Sequence, residues 1–428
     1  MKINIITLGC SKNTVDSENI AGHLQDAGHK VYFDRTKNDC DITIINTCGF
    51  IGDAKEESID TLVEQISIKT RGRKQRKLIA IGCLVERYRE DLKAEMPEVD
   101  EWYGVHEWDD IVKSITGKAP KKFTDRRITS TPRHYAYLKI SEGCNRQCSY
   151  CAIPNIRGKH ISRPIDDLVA EAKQMAQCGV KEIILIAQDT TYYGVDLYGS
   201  RQLGTLLERL ANESGAQWIR LHYTYPTSFP KDAIEAIRKH PNICNYIDIP
   251  LQHINTTILS SMQRGIDRER TLQLINQFRE ELGNVAIRTT LIVGYPGETD
   301  EQFQELKEFV KEAQFDRMGC FPYSPEEGTP AYALGDPIDE ETKTQRADEL
   351  MAIQEQISLQ KNEARIGKTF KVIIDRQEGE YWIGRTEYDS PEVDDEVLIH
   401  ANKLNIGEFY QVKIIDALEN DLIGQIVK

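Results

Sequence analysis

The sequence predicts a three-part α/β protein: an N-terminal open parallel-sheet α/β domain over residues 1–117, a central partial (β/α)6 barrel over 130–360, and a small antiparallel β-barrel over 363–428. Three observations lead there. Strand-length apolar runs alternate with helix-period runs up to about residue 117, as in an open parallel sheet. After a basic stretch carrying Pro120 and Pro132, which reads as a linker over 118–134, the alternation resumes for six more units. From about residue 363 the period falls to two, and short strands follow one another without helices.

Composition narrows the functional classes. The chain has 428 residues, 40% hydrophobic and 29% charged, which is ordinary for a globular protein and long enough for two to four domains. The net charge of −14 argues against a large phosphate-binding surface and suits a basic protein partner. Ten cysteines with no leader-like apolar run suggest a reducing compartment, the cytoplasm. No apolar run approaches the ~20 residues of a membrane helix, so no membrane association is expected.

In the first domain, residues 2–8 read as a buried strand ending at Gly9-Cys10. A helix is predicted over 16–27, with Ile20, Leu24 and Ala27 on one face and a stop at Gly28. Strands follow at 30–33 and 41–46, the second running into Thr47-Cys48-Gly49. An amphipathic helix covers 54–68, through Ile59, Leu62, Val63 and Ile66. A strand at 77–81 ends at Gly82-Cys83, and a helix follows over 86–95. Cys10, Cys48 and Cys83 thus each follow a strand. Open parallel sheets build their sites beyond the carboxyl ends of the strands, so these three residues should converge as a metal-binding trio. Buried cysteines at strand ends would give the same pattern. Cys40 precedes its strand and belongs at the opposite edge. Six cations within 69–77 read as a solvated loop, with phosphate contact the lesser reading.

In the second domain, strands are predicted at 136–140, 182–187, 218–223, 246–249, 286–292 and 317–321, with helices such as 165–177 and 300–313 between them. Barrel enzymes place catalysis at the carboxyl ends of their strands. At that position after the first strand stands Glu142-Gly143-Cys144-Asn145-Arg146-Gln147-Cys148-Ser149-Tyr150-Cys151. Its C-x3-C-x2-C spacing can aim three thiolates at one point. A cubane iron–sulfur cluster held by three cysteines keeps one iron open, and an open position implies chemistry. A zinc site short of a ligand, or packed reduced thiols, are the alternatives. Other residues expected to line the same mouth are Gln188 and Asp189, His222 and Tyr223, Gln252 and His253, Arg288, and the turn Gly294-Tyr295-Pro296-Gly297-Glu298. Cys178, Cys244 and Cys320 share no register and read as core thiols. A helix is predicted over 340–361.

The last domain reads as five strands, at 370–374, 381–385, 396–400, 410–415 and 421–426. It carries eight cations against fourteen carboxylates, a net of −6. An RNA-binding face needs cations against the phosphates, so a basic protein partner is favoured and RNA contact is less expected.

The cysteine run resembles that of the radical S-adenosylmethionine (SAM) enzymes, with Tyr150 as the aromatic residue before the last cysteine. The resemblance implies a radical SAM barrel in which Cys144, Cys148 and Cys151 hold a catalytic [4Fe-4S] cluster whose open iron chelates SAM. Tyr150, Gln188, Asp189 and Arg288 are then the candidate cofactor-binding residues. The N-terminal stretches Gly9-Cys10-Ser11-Lys12-Asn13-Thr14-Val15-Asp16-Ser17-Glu18 and Asn46-Thr47-Cys48-Gly49-Phe50-Ile51 look like those of the methylthiotransferases, a family of radical SAM enzymes with a second cluster. Cys10, Cys48 and Cys83 would ligate that cluster, and the last domain would be a TRAM domain. Within the family, Ser11 and Lys12 resemble the branch that modifies an aspartate β-carbon of ribosomal protein S-twelve. In that branch one SAM serves as methyl donor and one as radical source. The tRNA-modifying branch is the alternative. The resemblance also implies an electron donor such as flavodoxin or ferredoxin.

Overall fold

The computed structural model describes residues 1–37, 39–71, 76–120, 122 and 126–427. The N-terminal body is a five-stranded parallel sheet. Its strands are β1 (Lys2–Thr7), β2 (Lys30–Phe33), β3 (Ile42–Thr47), β4 (Lys77–Gly82) and β5 (Glu101–Tyr103), in the order β2-β1-β3-β4-β5. Helices α1 (Ser11–Asp26), α2 (Gly52–Arg71), α3 (Cys83–Glu95) and α4 (Trp108–Thr116) cover its faces. One face packs Ile3, Ile5, Ile44 and Ile79 against Ile20 and Leu24 of α1. The other packs Ile45, Leu78 and Ala80 against Leu62, Leu84 and Leu92.

Two helices begin earlier than their apolar periodicity predicts. α1 starts at Ser11, because its polar first turn carries no hydrophobic signal, and α3 at Cys83, where the apolar Cys83-Leu84-Val85 turn reads equally well as a continuation of β4. Strand β5 and helix α4 were not anticipated; three strand residues give too short a pattern to read. The predicted basic loop is partly an extension of α2 to Arg71, and residues 72–75 lie outside those described, as do parts of the 118–134 linker.

The central body is an arc of six parallel strands. β6 (Tyr135–Lys139) is followed by a small ribbon of β7 (Ser141–Glu142) and β8 (Ile161–Ser162) that frames the cysteine loop and helix α5 (Ile153–Arg157). Helix α6 (Ile165–Gln177) leads to β9 (Glu182–Ile186), β10 (Trp218–Leu221), β11 (Tyr246–Asp248), β12 (Ala286–Val293) and β13 (Arg317–Pro322). Hydrogen bonding orders them as β10-β9-β6 and β11-β12-β13. The halves join through the Thr224 N–H to the Asp248 carbonyl (3.0 Å) and the Cys244 N–H to the Ile219 carbonyl (2.8 Å). One continuous core runs from Leu138 through Leu185, Ile247 and Ile287 to the outer helices.

The C-terminal body is a closed five-stranded barrel of β14 (Thr369–Glu378), β15 (Tyr381–Arg385), β16 (Glu396–His400), β17 (Phe409–Ala417) and β18 (Asp421–Ile426). Its contacts are antiparallel except for β16 with β18, which run parallel, a pairing that period-two patterning cannot show. Its 386–395 loop packs against the lower interior of the arc. Glu392 accepts from the Tyr135 and Tyr137 hydroxyls (2.8 and 3.2 Å), and Asp394 accepts from the Tyr246 hydroxyl (2.7 Å).

Candidate active site

β1, β3 and β4 are neighbours at the centre of the sheet, so their carboxyl ends present Cys10, Cys48 and Cys83 side by side. Gly9 and Gly82, with φ of +85° and +101°, turn the chain sharply there. A Cβ on Gly9 would lie 2.7 Å from Cys48 Sγ, so glycine is required by space as well as by conformation. Asn13 ties the edge together. Its amide donates to the Leu8 and Thr47 carbonyls (2.9 and 3.1 Å), and its Oδ1 stands 3.8 Å from Cys83 Sγ. Burial pushes the Cys10 thiol up, but the Lys12 ammonium, the Arg157 guanidinium and the helix-end N–H groups of Asn13 and Lys12 bring it below the usual range. Burial raises Cys48 and takes Cys83 to about 12. Cys40 lies at the opposite edge, beside Asp39 and Lys2.

The second trio lies at the mouth of the arc. Gly143, φ +75°, admits the chain beside the 158–159 backbone, and Cys144 N–H donates to the Gly158 carbonyl (3.0 Å). Burial pushes Cys144 to about 11 and Cys151 to about 12. Cys148 is also pushed up by burial, but Arg264 Nη1 at 3.4 Å and the Tyr225 hydroxyl at 3.5 Å outweigh that and lower it. Each trio therefore has one thiol readied by a cation and two that burial keeps protonated until a metal displaces the proton. Among the described residues no group of three side chains gathers tightly enough to hold a single metal ion. A cluster asks for a different arrangement, one thiolate to each of several irons. The all-thiol donor sets, beside cations, fit an anionic iron–sulfur cluster in each place.

A buried ionic network joins the trios. Arg157, 2% exposed, reaches Asp16 (3.1 Å) and Asn13 (2.5 Å) in the first body and Glu142 (2.9 Å) in the second. Lys139 contacts both Asp16 and Glu142. A second pin lies at Glu326, which takes Arg87 (2.7 Å) and Lys55 (3.0 Å) from α3 and α2.

The other predicted residues divide. Tyr150 packs among Ile258, Tyr295 and Tyr323, with its hydroxyl 3.2 Å from Arg264. Asp189 is fully occupied: Oδ1 accepts from Thr191 and Oδ2 from Arg146 Nε (2.7 Å). Gln188 donates to Glu142 (2.9 Å) and keeps a buried Oε1 without a partner, as does Arg146 with Nη2. These two orphans suit the amino and carboxylate ends of an amino acid. Arg288 does not join them. It sits low on β12 and pairs with Asp248 (3.1 Å) and with Asp394 (3.2 Å) of the 386–395 loop. It is the third residue of the strand from its amino end, below the mouth. His253 is wholly buried and accepts from Asn255 N–H (2.9 Å). Cys244 is buried, whereas Cys178 is exposed at the end of α6, contrary to its reading as a core thiol. Sequence reasoning missed Arg146, Arg157 and Arg264; all lie within or near the cysteine run or on a loop, where arginines give no periodic signal.

Such a mouth, with a cysteine trio at the end of the first strand of a six-stranded arc, is that of a radical SAM enzyme. The family model described as the radical SAM superfamily matches residues 138–310, that of an uncharacterized protein family matches 2–104, and that of the TRAM domain matches 366–427. Among solved structures, the radical SAM methyltransferase TsrM from Kitasatospora setae, with cobalamin and a [4Fe-4S] cluster bound, aligns with a TM-score of 0.57 at 13% identity. That alignment covers 77% of this chain and 73% of the other. The cobalamin-dependent radical enzyme OxsB aligns with a TM-score of 0.53 at 11% identity, over 83% and 56%. These show a shared fold. The ribosomal protein uS12 methylthiotransferase RimO of Flavobacterium johnsoniae is 53% identical, over 99% of this chain and 98% of its own. That of Phocaeicola vulgatus is 54% identical, over 99% of each. The chain belongs to the RimO family of radical SAM methylthiotransferases, whose cofactors are [4Fe-4S] clusters and SAM.

Proposed function

We propose that this chain transfers a methylthio group to the β-carbon of an aspartate in ribosomal protein uS12. Cys144, Cys148 and Cys151 would hold the cluster that binds SAM, and Cys10, Cys48 and Cys83 the second cluster. The bodies at 1–117, 130–360 and 363–428 would be the auxiliary-cluster, radical SAM and TRAM domains. Bound, these cofactors supply radical generation, sulfur and a methyl group, which no side chain can provide. The carrying observation is the pair of three-thiol sites in separate bodies that Arg157 ties together.

The protein's own residues bind, orient and shield. Arg264 favours the thiolate of Cys148, and Lys12 and Arg157 favour that of Cys10. Gln188 Oε1 would accept from the SAM amino group and Arg146 Nη2 would donate to its carboxylate. Tyr225, lying 4.0 Å from the Arg146 guanidinium and 4.2 Å from that of Arg264, covers both and keeps water from their charges. The acidic C-terminal barrel suits a basic ribosomal protein. Among the described residues no helix is long and apolar enough to cross a membrane. A cytoplasmic site of action with a flavodoxin or ferredoxin as reductant fits this reading.

The test is direct. Enzyme reconstituted anaerobically is incubated with SAM, reductant and either purified uS12 or bulk tRNA. The methylthio mass gain is expected on the protein alone; a gain on tRNA alone would replace this reading with the tRNA-modifying one. Iron analysis should find about eight irons per chain, falling by about half when either trio is replaced with alanine.

A further inference from the structure

Lys12 is an odd neighbour for a cysteine site. It stands two residues beyond Cys10 and is only 6% exposed. Its Nζ lies 2.8 Å from the centroid of the Tyr223 ring. Among the described residues it has no hydrogen bond and no carboxylate partner. The cations around it all have partners: buried Arg157 and Lys139 with Asp16 and Glu142, half-buried Arg146 with Asp189, and buried Arg264 with Cys148 and Tyr150. A buried lysine with no carboxylate beside it is costly, and the aromatic face and the Cys10 thiol offset only part of that.

The seat beneath it is held under strain. Tyr223 has φ +55°, a left-handed conformation that a bulky side chain rarely adopts. It is fixed there from both sides: its N–H donates to Asp248 Oδ2 (2.8 Å) and its carbonyl accepts from Thr190 N–H (3.0 Å). Its hydroxyl lies 3.5 Å from Ser11 Oγ. A chain of contacts therefore runs from Cys144 through Arg146, Asp189, Thr190 and Tyr223 to Lys12 and Cys10. Lys12 is thus linked by contacts to both cysteine trios.

We propose that the Lys12 ammonium, seated on Tyr223, is the receptor for the carboxylate of the substrate aspartate. It thereby selects a charged protein side chain over a neutral one. This rests on the reading above, that an aspartate is the residue modified. In aspartate a single bond separates the carboxyl carbon from the β-carbon, so gripping the carboxylate fixes the carbon that reacts. A charge-assisted bond in a water-poor site gives both strength and direction. The simpler role, holding Cys10 as a thiolate, needs no cation stacked on a strained tyrosine of the other body.

The test uses full-chain enzyme with both clusters reconstituted, as wild type and as the Lys12→Met, Lys12→Gln and Lys12→Arg variants. Methionine keeps the unbranched length without the charge. The probes are purified uS12 and the same protein with its target aspartate replaced by asparagine. Binding is read by fluorescence anisotropy, modification by mass spectrometry, and the clusters by iron content and electron paramagnetic resonance. Wild type should bind the aspartate protein about 30-fold more tightly than the asparagine one. Lys12→Met and Lys12→Gln should bring that ratio close to one, and Lys12→Arg should keep most of it. An aspartate preference that survives in both neutral variants overturns the proposal. So does a change confined to the resonance signal or iron content. If wild-type enzyme leaves uS12 unmodified, the reading of the reaction has failed instead.

Discussion

Replacing Arg157 by methionine probes the junction between the two cysteine trios. In the native protein Arg157 and Lys139 face Asp16 and Glu142, two charges against two, with Asp16 fully buried. Methionine keeps most of the volume and removes one cation, leaving a net buried negative charge. Breaking a buried pair in this way costs about 3–5 kcal/mol, because the remaining carboxylate stays desolvated. Since Asp16 and Asn13 belong to one body and Glu142 to the other, the loss should fall on their docking. Urea denaturation of the cluster-free chain, followed by circular dichroism, should show the N-terminal transition moving to lower urea by that amount. Limited proteolysis should open the junction. Asp16→Asn in the same chain restores the charge balance and should recover at least half of the loss. The acid limb gives a second reading. Burial pushes the Glu142 carboxyl up, but Lys139 and Arg157 bring it well below its ordinary 4.5. Its contribution is therefore present above that value and disappears as pH falls below it. In Arg157→Met that acid dependence should shrink. A loss under about 1 kcal/mol with no rescue by Asp16→Asn would refute the view that this network locks the trios together.

Three further outcomes are expected. Burial raises the Asp395 carboxyl to about 7, despite Arg317 at 3.1 Å. The unfolded chain ionises it near pH 4, so stability falls as pH rises from about 4 to 7, by at most about 4 kcal/mol. Asp395→Asn should flatten that slope in thermal melts. Gly143→Ala would drive a Cβ into the Lys159 carbonyl at a φ of +75°, so iron analysis should find about half the native content. Gln188→Leu removes the orphaned Oε1 and should weaken SAM binding about tenfold by calorimetry, with iron content unchanged.

Both cysteine trios were legible because their signals are local. Cys10, Cys48 and Cys83 end apolar strands, and strand ends of a parallel sheet lie on one edge whatever the details of packing. The C-x3-C-x2-C run needs no tertiary information at all. The helix boundaries at Ser11 and Cys83 were not legible, since the first turn of α1 is polar and anchored by contacts such as those of Asn13, while that of α3, Cys83-Leu84-Val85, is apolar and runs on from the apolar stretch of β4. Arg288 shows the limit most clearly. Its place on a barrel strand suggested the mouth, but a residue near a strand's amino end faces whatever closes the barrel from below. Here that is a loop some hundred residues further along the chain, and nothing in the period of β12 records it.

That loop bears on how an arc of six strands can form a working site. Eight strands would close on themselves; six leave the interior open at the side and below. The lower interior carries Tyr135, Tyr137, Arg220, Tyr246 and Arg288, groups that an apolar plug would leave unpaired at a cost. The 386–395 loop answers them with Glu392, Asp394 and the Glu387 carbonyl, while Glu182 is shared between Arg220 and Arg385. Above, α1 of the first body meets the mouth with Lys12, Asn13 and Asp16. The acidic loop is therefore a structural counter-ion for the arc as well as part of an acidic domain. Its carboxylates are engaged inward, and any basic partner must be met by the domain's other acidic residues, such as exposed Glu380 and Glu408.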